Sequence, residues 1–419
     1  MTLYEFGSFN SAEEASLASY NSNIRNDCGR FVNQVRDYVT SRIDMAPVPD
    51  LMMYMQGRLR PDIFISNRVD ALRDLAPGTQ AQMEAELKLI VGHIDASVHA
   101  SEKSHSGYFD ELDLEAASVA NHGRSFHDLF IEPFCTRALG VPTREILGRF
   151  HRGAWLPLYY PETLLSQFTD APQRLPVTRF HYPSHASAAA ITSAVYFEVS
   201  IHPRVQIVHG TPTRIRRTSH YEIALETGEK IRAKELVWSS DLNSLCQALE
   251  VESKRAKYQS AGVGICFLLV PASRISRRIS SIFVLDSTCV YRITNQDVCA
   301  GATPSKDRLV IEFDARYFER AGILEPEHQW REIAIDLQRI GLLEEDDPGI
   351  SWSIRYFKEA LVLPTKDNRA IVGEQRRRIL ESLPEVQLIG PSAGFGAGSM
   401  NDQIVQGLKI AVDFGGRLN

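Results

Sequence analysis

Residues 386–414 read VQLIGPSAGFGAGSMNDQIVQGLKIAVDF. An apolar strand through Val386, Leu388 and Ile389 runs into Gly390. The turn that follows carries Gly394, Gly396 and Gly398, and a helix begins near Ser399. A strand that ends in glycine and feeds a helix aims free backbone N–H groups and the positive helix end at whatever lies above the strand, which suits an anionic or electron-rich ligand. Glycines let such a ligand approach the backbone. A glycine-rich turn capped by Ser399, with no ligand, satisfies the same pattern, and the segment by itself does not choose between the two.

Working back from this end, HQWREIAIDLQRI (328–340) has the period of an amphipathic helix, and GVGICFLLV, SIFVLD, CVYRI and RLVIEFDA (262–315) read as strands. VQIVHG, TPTRIRRT, HYEIALETGEKIRA and ELVWSS (205–240) form a further β run, with ETGEK supplying a hairpin turn. Upstream of about residue 175 the period is helical. Residues 78–100 carry an apolar stripe through Met83, Leu87, Leu89, Ile90 and Ile94; SFHDLFIEPF and TREILGRF predict shorter helices, with Pro133 and Pro142 breaking the stretch. Residues 28–41 predict a helix with Phe31, Val32, Val35 and Val39 on one side, and MTLYE (1–5) a short strand. Helices and strands neither alternate simply nor fall into two blocks, so discontinuous domains are expected.

Composition narrows the function classes. The chain has 419 residues, 44% hydrophobic and 23% charged, enough for two cores of ordinary globular type. A formal net charge of -6 offers no broad positive field, so nucleic-acid binding through charge is not expected. With no apolar run long enough to span a bilayer and no leader-like N-terminus, a cytoplasmic protein without a membrane span is expected. Six cysteines without a CxxC pair predict buried free thiols. His93, His99 and His105, six apart, do not share a helical face, and no metal site is expected.

Three segments, in order, resemble the superfamily of FAD-dependent amine oxidases, protoporphyrinogen oxidases and UDP-galactopyranose mutases. LIGPSAGFGAGSMNDQIVQGLKIA resembles its C-terminal flavin-binding signature, which implies Gly390, Ser399, Met400 and Asn401 as flavin neighbours; Pro391 stands where the family has Arg or Asp. FHYPSHASAAAITSAV and the strands after it resemble the loop, helix and β-meander that return to the nucleotide domain, which gives Thr213 the backbone contact to adenine. There, His185 and Ala186 replace two glycines that follow the Tyr182-Pro183 pair in the family; His185 is either an acid or base near the flavin or a structural residue. VYRITNQDVCAGATPSKDRLVIEFDA resembles the substrate-facing strands, where Arg292 either meets an anionic substrate or pairs with Glu312.

The resemblance implies an α/β (α+β) fold: a Rossmann-like FAD/NAD(P)-binding domain (1–48, 176–258, 365–419), incomplete at its N-terminus, and a discontinuous substrate domain of antiparallel sheet and helices (49–175, 259–364). The opening GxGxxG unit of that family is not found. MTLYE resembles the second strand of the unit, with Glu5 as the ribose-binding acid. An incomplete start, a partner chain supplying the missing unit, and a relative without tight FAD binding all remain open. The implied function is an FAD-dependent oxidoreductase in which the flavin accepts a hydride from a small-molecule substrate. A flavin-dependent nucleotide-sugar mutase and a non-catalytic subunit or scaffold are the alternatives, and whether this chain holds FAD unaided is left open.

Overall fold

Period-two burial organises the larger part of the molecule. The strands, in chain order, are β1 (Tyr4–Glu5), β2 (Met45–Pro47), β3 (Met52–Met55), β4 (Arg58–Pro61), β5 (Phe180–Pro183), β6 (Pro212–Arg217), β7 (Tyr221–Leu225), β8 (Lys230–Ala233), β9 (Val237–Trp238), β10 (Ser260–Pro271), β11 (Ser281–Val284), β12 (Val290–Asn295), β13 (Lys306–Phe313), β14 (Ser351–Val362) and β15 (Gln387–Leu388). Helices include α1 (Ala189–Ile201), α2 (Lys366–Ser382) and α3 (Met400–Leu418), the last two of which reach the site. The computed structural model describes residues 4–5, 37–49, 51–93, 112–150, 156–170, 172, 180–251, 255–344, 349–395 and 400–418.

The chain divides into two units, Met1–Ile191 with Ser260–Leu363, and Thr192–Gln259 with Pro364–Asn419. Two of the borders fall between 259 and 260 and between 363 and 364. Residues 37–48 and 180–191 group with the first unit, because β1, β5 and β2 pair antiparallel in one small sheet and Tyr182 packs on Cys299 and Ala300 of that unit.

In the first unit seven strands form a sheet in the order β14-β10-β13-β12-β11-β3-β4, antiparallel except for β11 beside β3. Successive residues serve opposite faces. Ile282, Val284 and Tyr54 face the helix Pro326–Arg339 with its Ile333 and Leu337, whereas Phe283, Met53 and Met55 face a helical layer built on Phe126, Phe130 and Phe134. Pro133 does not break that layer. A π turn at His127–Ile131 precedes Glu132–Leu139, with αR geometry at both junctions. The widened turn relieves the clash and lost donor that proline brings to an α-helix.

In the second unit β6, β7 and β8 form an antiparallel meander; the Thr227-Gly228 hairpin is where the sequence places it, with Gly228 at φ +86°. β9 and β15 pair in parallel, Leu388 opposite Trp238. Trp238, Leu245, Cys246, Ile379, Leu383 and Val386 form the core between this pair and α2. Residues 205–210, expected as a strand, form no ladder among the described residues: an apolar run becomes a strand only when a neighbour takes its N–H and C=O groups. Cys135, Cys246, Cys266, Cys289 and Cys299 are buried free thiols. Among the described residues no cluster could hold a metal ion, and no helix is long and apolar enough to cross a membrane.

Candidate functional site

In the second unit the carboxyl ends of the parallel strands β9 and β15 come together. Crevices at such strand ends are the general ligand position of open α/β sheets. Gly390 ends β15 with φ +58°, a left-handed conformation, and a Cβ there would come within 3.3 Å of the Ser239 carbonyl oxygen. Only glycine makes this corner without strain. The chain continues through a 3₁₀ turn, Gly390–Ala393, to Gly394 at φ +110°.

Side chains distant in sequence hold this turn. Ser392 donates its hydroxyl to the carbonyls of Trp238 (2.7 Å) and Ile389 (2.6 Å), tying the turn to both strand ends. Arg376 of α2 donates to the carbonyls of Ser392 (3.3 Å) and Ala393. It is set there by its neighbour: Gln375 is buried, donates to Asn243 at 2.9 Å and accepts from the Tyr258 hydroxyl. Asn368, two turns earlier on the same face of α2, exchanges hydrogen bonds with the Gln259 backbone at 2.9 and 2.7 Å. From α3, Gln406 accepts the Gly390 N–H at 2.7 Å. Arg376, Ser392 and Gln406 carry no motif, and sequence reading missed them. A polar residue two turns into the helix behind a glycine turn was the one signal available for Gln406.

The residues implied by the resemblance are spread over both units. Gly390, Met400 and Asn401 belong to the second unit, the last two at the start of α3; Ser399 lies outside the described residues. Thr213, also in this unit, is exposed on β6 and donates its hydroxyl to the Ala224 carbonyl at 3.2 Å.

Glu5, His185 and Arg292 belong to the first unit. Glu5 sits on β1 opposite Phe180, in an antiparallel sheet rather than at the end of a parallel strand. His185 follows β5 and is exposed, with φ +52°; its N–H donates to the Ala300 carbonyl at 2.9 Å. It thus keeps a backbone conformation that favours glycine, at a cost of about 1 kcal/mol.

Arg292 and Glu312 are directly opposite across β12 and β13. They are 6% and 5% exposed, and Nε of Arg292 donates to Glu312 Oε1 at 2.9 Å, with Nη2 donating to the same oxygen. The turn before β12 is fixed by the buried Asp336 carboxylate, which accepts the N–H groups of Thr288 (2.8 Å), Cys289 (2.9 Å) and Val290 (3.1 Å). Next to Arg292, the buried Tyr291 hydroxyl is pushed well above its ordinary range, by burial first and then by the charge of Glu312.

The fold is that of the amine-oxidase-like flavoproteins. Among solved structures it is similar to reduced UDP-galactopyranose mutase, at 13% identity over 88% of this chain and 78% of that one, with a TM-score of 0.65. It is also similar to cyclohexylamine oxidase from Brevibacterium oxydans IH-35A, at 14% identity over 92% of this chain and 85% of that one, TM-score 0.55. A third likeness is to putrescine oxidase bound to putrescine, at 10% identity over 93% of this chain and 85% of that one, TM-score 0.53. No protein-family model matches the sequence, and no curated protein matches it by sequence.

Proposed function

We propose that the chain is an FAD-dependent oxidoreductase acting on a small molecule. The observation that carries this reading is the corner at Gly390: a strand-end glycine in a conformation other residues resist, at the carboxyl end of a parallel pair and followed by the helix α3, in a flavoprotein fold. The described residues fit one edge of the cofactor. Gly390 leaves the strand end without a side chain, and the first turn of α3 at Met400 and Asn401 supplies backbone N–H groups and the positive end of the helix. Thr213 is the residue assigned to the adenine side.

FAD, when bound, supplies hydride acceptance, chemistry no side chain here provides. The residues of this chain have the other tasks. Arg376 and Ser392 keep the turn in one geometry, so that its donors need no reorganisation when a ligand arrives. His185, exposed beyond β5, is the proposed acid or base. Arg292 is proposed to orient an anionic substrate group, for which its guanidinium must share its donors with Glu312.

The test is an absorption spectrum of the purified chain after excess FAD is added and unbound cofactor removed. Bands near roughly 370 and 450 nm, those of any oxidised flavin, support the reading and open an amine screen by oxygen consumption. A colourless protein overturns it and favours the non-catalytic subunit. A second reading, a flavin-dependent nucleotide-sugar mutase, is favoured by the likeness to UDP-galactopyranose mutase, whose TM-score of 0.65 exceeds the 0.55 of the amine oxidase. Conversion of a UDP-sugar by the reduced protein, without net oxidation, would select it.

A further inference from the structure

Several polar groups of the Gly390 turn are engaged within the unit. Ser392 is bound to Trp238 and Ile389, the Ser392 and Ala393 carbonyls are bound to Arg376, and the Gly390 N–H is bound to Gln406. The first two arrangements brace the turn from within. The third differs: a strand-end N–H beside a helix start, the donor such a corner offers to an anionic oxygen, is occupied by the neutral carboxamide oxygen of a half-buried glutamine at 2.7 Å.

We infer that Gln406 is an internal stand-in for an acceptor oxygen of the cofactor, and that it must leave the Gly390 N–H before the crevice takes FAD. This rests on the flavin reading above and adds a residue that sets how tightly the cofactor is held. Gln406 can leave without unfolding α3. Its neighbour Val405 is buried and fixes that face of the helix, whereas Gln406 itself is only half-buried. The glutamine side chain reaches solvent by rotating its own bonds. When it does, the Gly390 N–H is free to donate to the cofactor, and the bond to Gln406 that must be given up is subtracted from the gain. The wild-type chain therefore holds FAD more weakly than its crevice allows.

The prediction is an order of affinities. Gln406→Ala removes the competitor. Gln406→Glu keeps an acceptor on the Gly390 N–H and, as a carboxylate, holds it more tightly than the carboxamide does. FAD titrated into the full chain, followed by quenching of flavin fluorescence, is expected to bind the Ala variant about tenfold more tightly than wild type and the Glu variant about tenfold more weakly. Gln403→Ala, an exposed position three residues earlier on α3, is the control and is expected to match wild type. In the ligand-free proteins, hydrogen exchange of the peptide containing Gly390 is expected to speed up in Gln406→Ala and not in Gln406→Glu.

An Ala variant that binds FAD no more tightly than wild type overturns the inference and leaves the flavin reading standing. So does unchanged exchange at Gly390. If neither wild type nor the Ala variant binds FAD, the flavin reading falls and the inference falls with it.

Discussion

Replacing Arg292 by methionine would leave Glu312 5% exposed with the cross-strand guanidinium removed. Breaking a buried ion pair by removing one partner costs about 3–5 kcal/mol, because the remaining charge has lost water and gains nothing in return. Replacing both partners with apolar residues of similar size removes that penalty, so Arg292→Met with Glu312→Leu is expected within about 1–2 kcal/mol of wild type. Hydrogen exchange in increasing urea, read on peptides covering β12 and β13, measures the cost in the unit that holds the pair. Peptides of β6 and β7, in the other unit, are the control. A single variant within about 1 kcal/mol of wild type would refute the account of a closed, desolvated pair. So would a double variant no better than the single one. The same variants address function. If Arg292 also meets substrate, the double variant regains stability without regaining substrate affinity.

Four further outcomes are expected. Burial first, opposed by the charges of Glu132 and Asp128, lowers the affinity of His127 for protons from its ordinary value of 6.5. The unfolded chain therefore binds the proton first, and stability falls as pH drops from 6.5 toward the folded pKa, then levels off; urea melts of wild type should show this slope and His127→Gln should lack it. Cys266 and Cys299 are pushed up to about 12 by burial, and Cys135 and Cys289 also rise. All four should resist iodoacetamide at pH 8 in the native chain and react in urea, read by mass spectrometry. Gly390→Ala places a Cβ in a left-handed corner 3.3 Å from a carbonyl oxygen and should cost about 1–2 kcal/mol in a urea melt. His185→Gly relieves a residue at φ +52° and should change stability by no more than about 1 kcal/mol; loss of turnover with folding intact would mark His185 as more than structural.

Much of the fold was legible because its signals are local. The alternation in SIFVLD and RLVIEFDA reappears as Phe283 on one face of the sheet and Ile282 and Val284 on the other. The glycine of ETGEK is at positive φ where the hairpin needs it. What escaped was set by neighbours distant in sequence. VQIVHG has the composition of a strand but no ladder, and Pro133 reads as a breaker although a π turn absorbs it. The long strand β14 interleaves polar and charged residues (SWSIRYFKEALV) and carries no clean period. α2 is rich in arginine and buries little beyond Asn368, Gln375 and Ile379, so its apolar stripe is too thin to see.

The site divides along the same line. Glycines announce themselves because a backbone conformation depends on them, and Gly390 was found for that reason. The residues that give the corner its chemistry do not, since any of several side chains can donate to a carbonyl or accept an N–H. Arg376 lies on a helix where the next two arginines, Arg377 and Arg378, pair with Glu374, and nothing in RRR singles out the first. Its role follows from Gln375, whose burial turns the next side chain toward the Ser392 and Ala393 carbonyls. Gln406 is hidden in the same way, one polar residue in an amphipathic helix until the strand end is folded beside it. The motif thus places the crevice, and contacts contributed by α2 and α3 decide whether the Gly390 N–H is free for a ligand or already occupied.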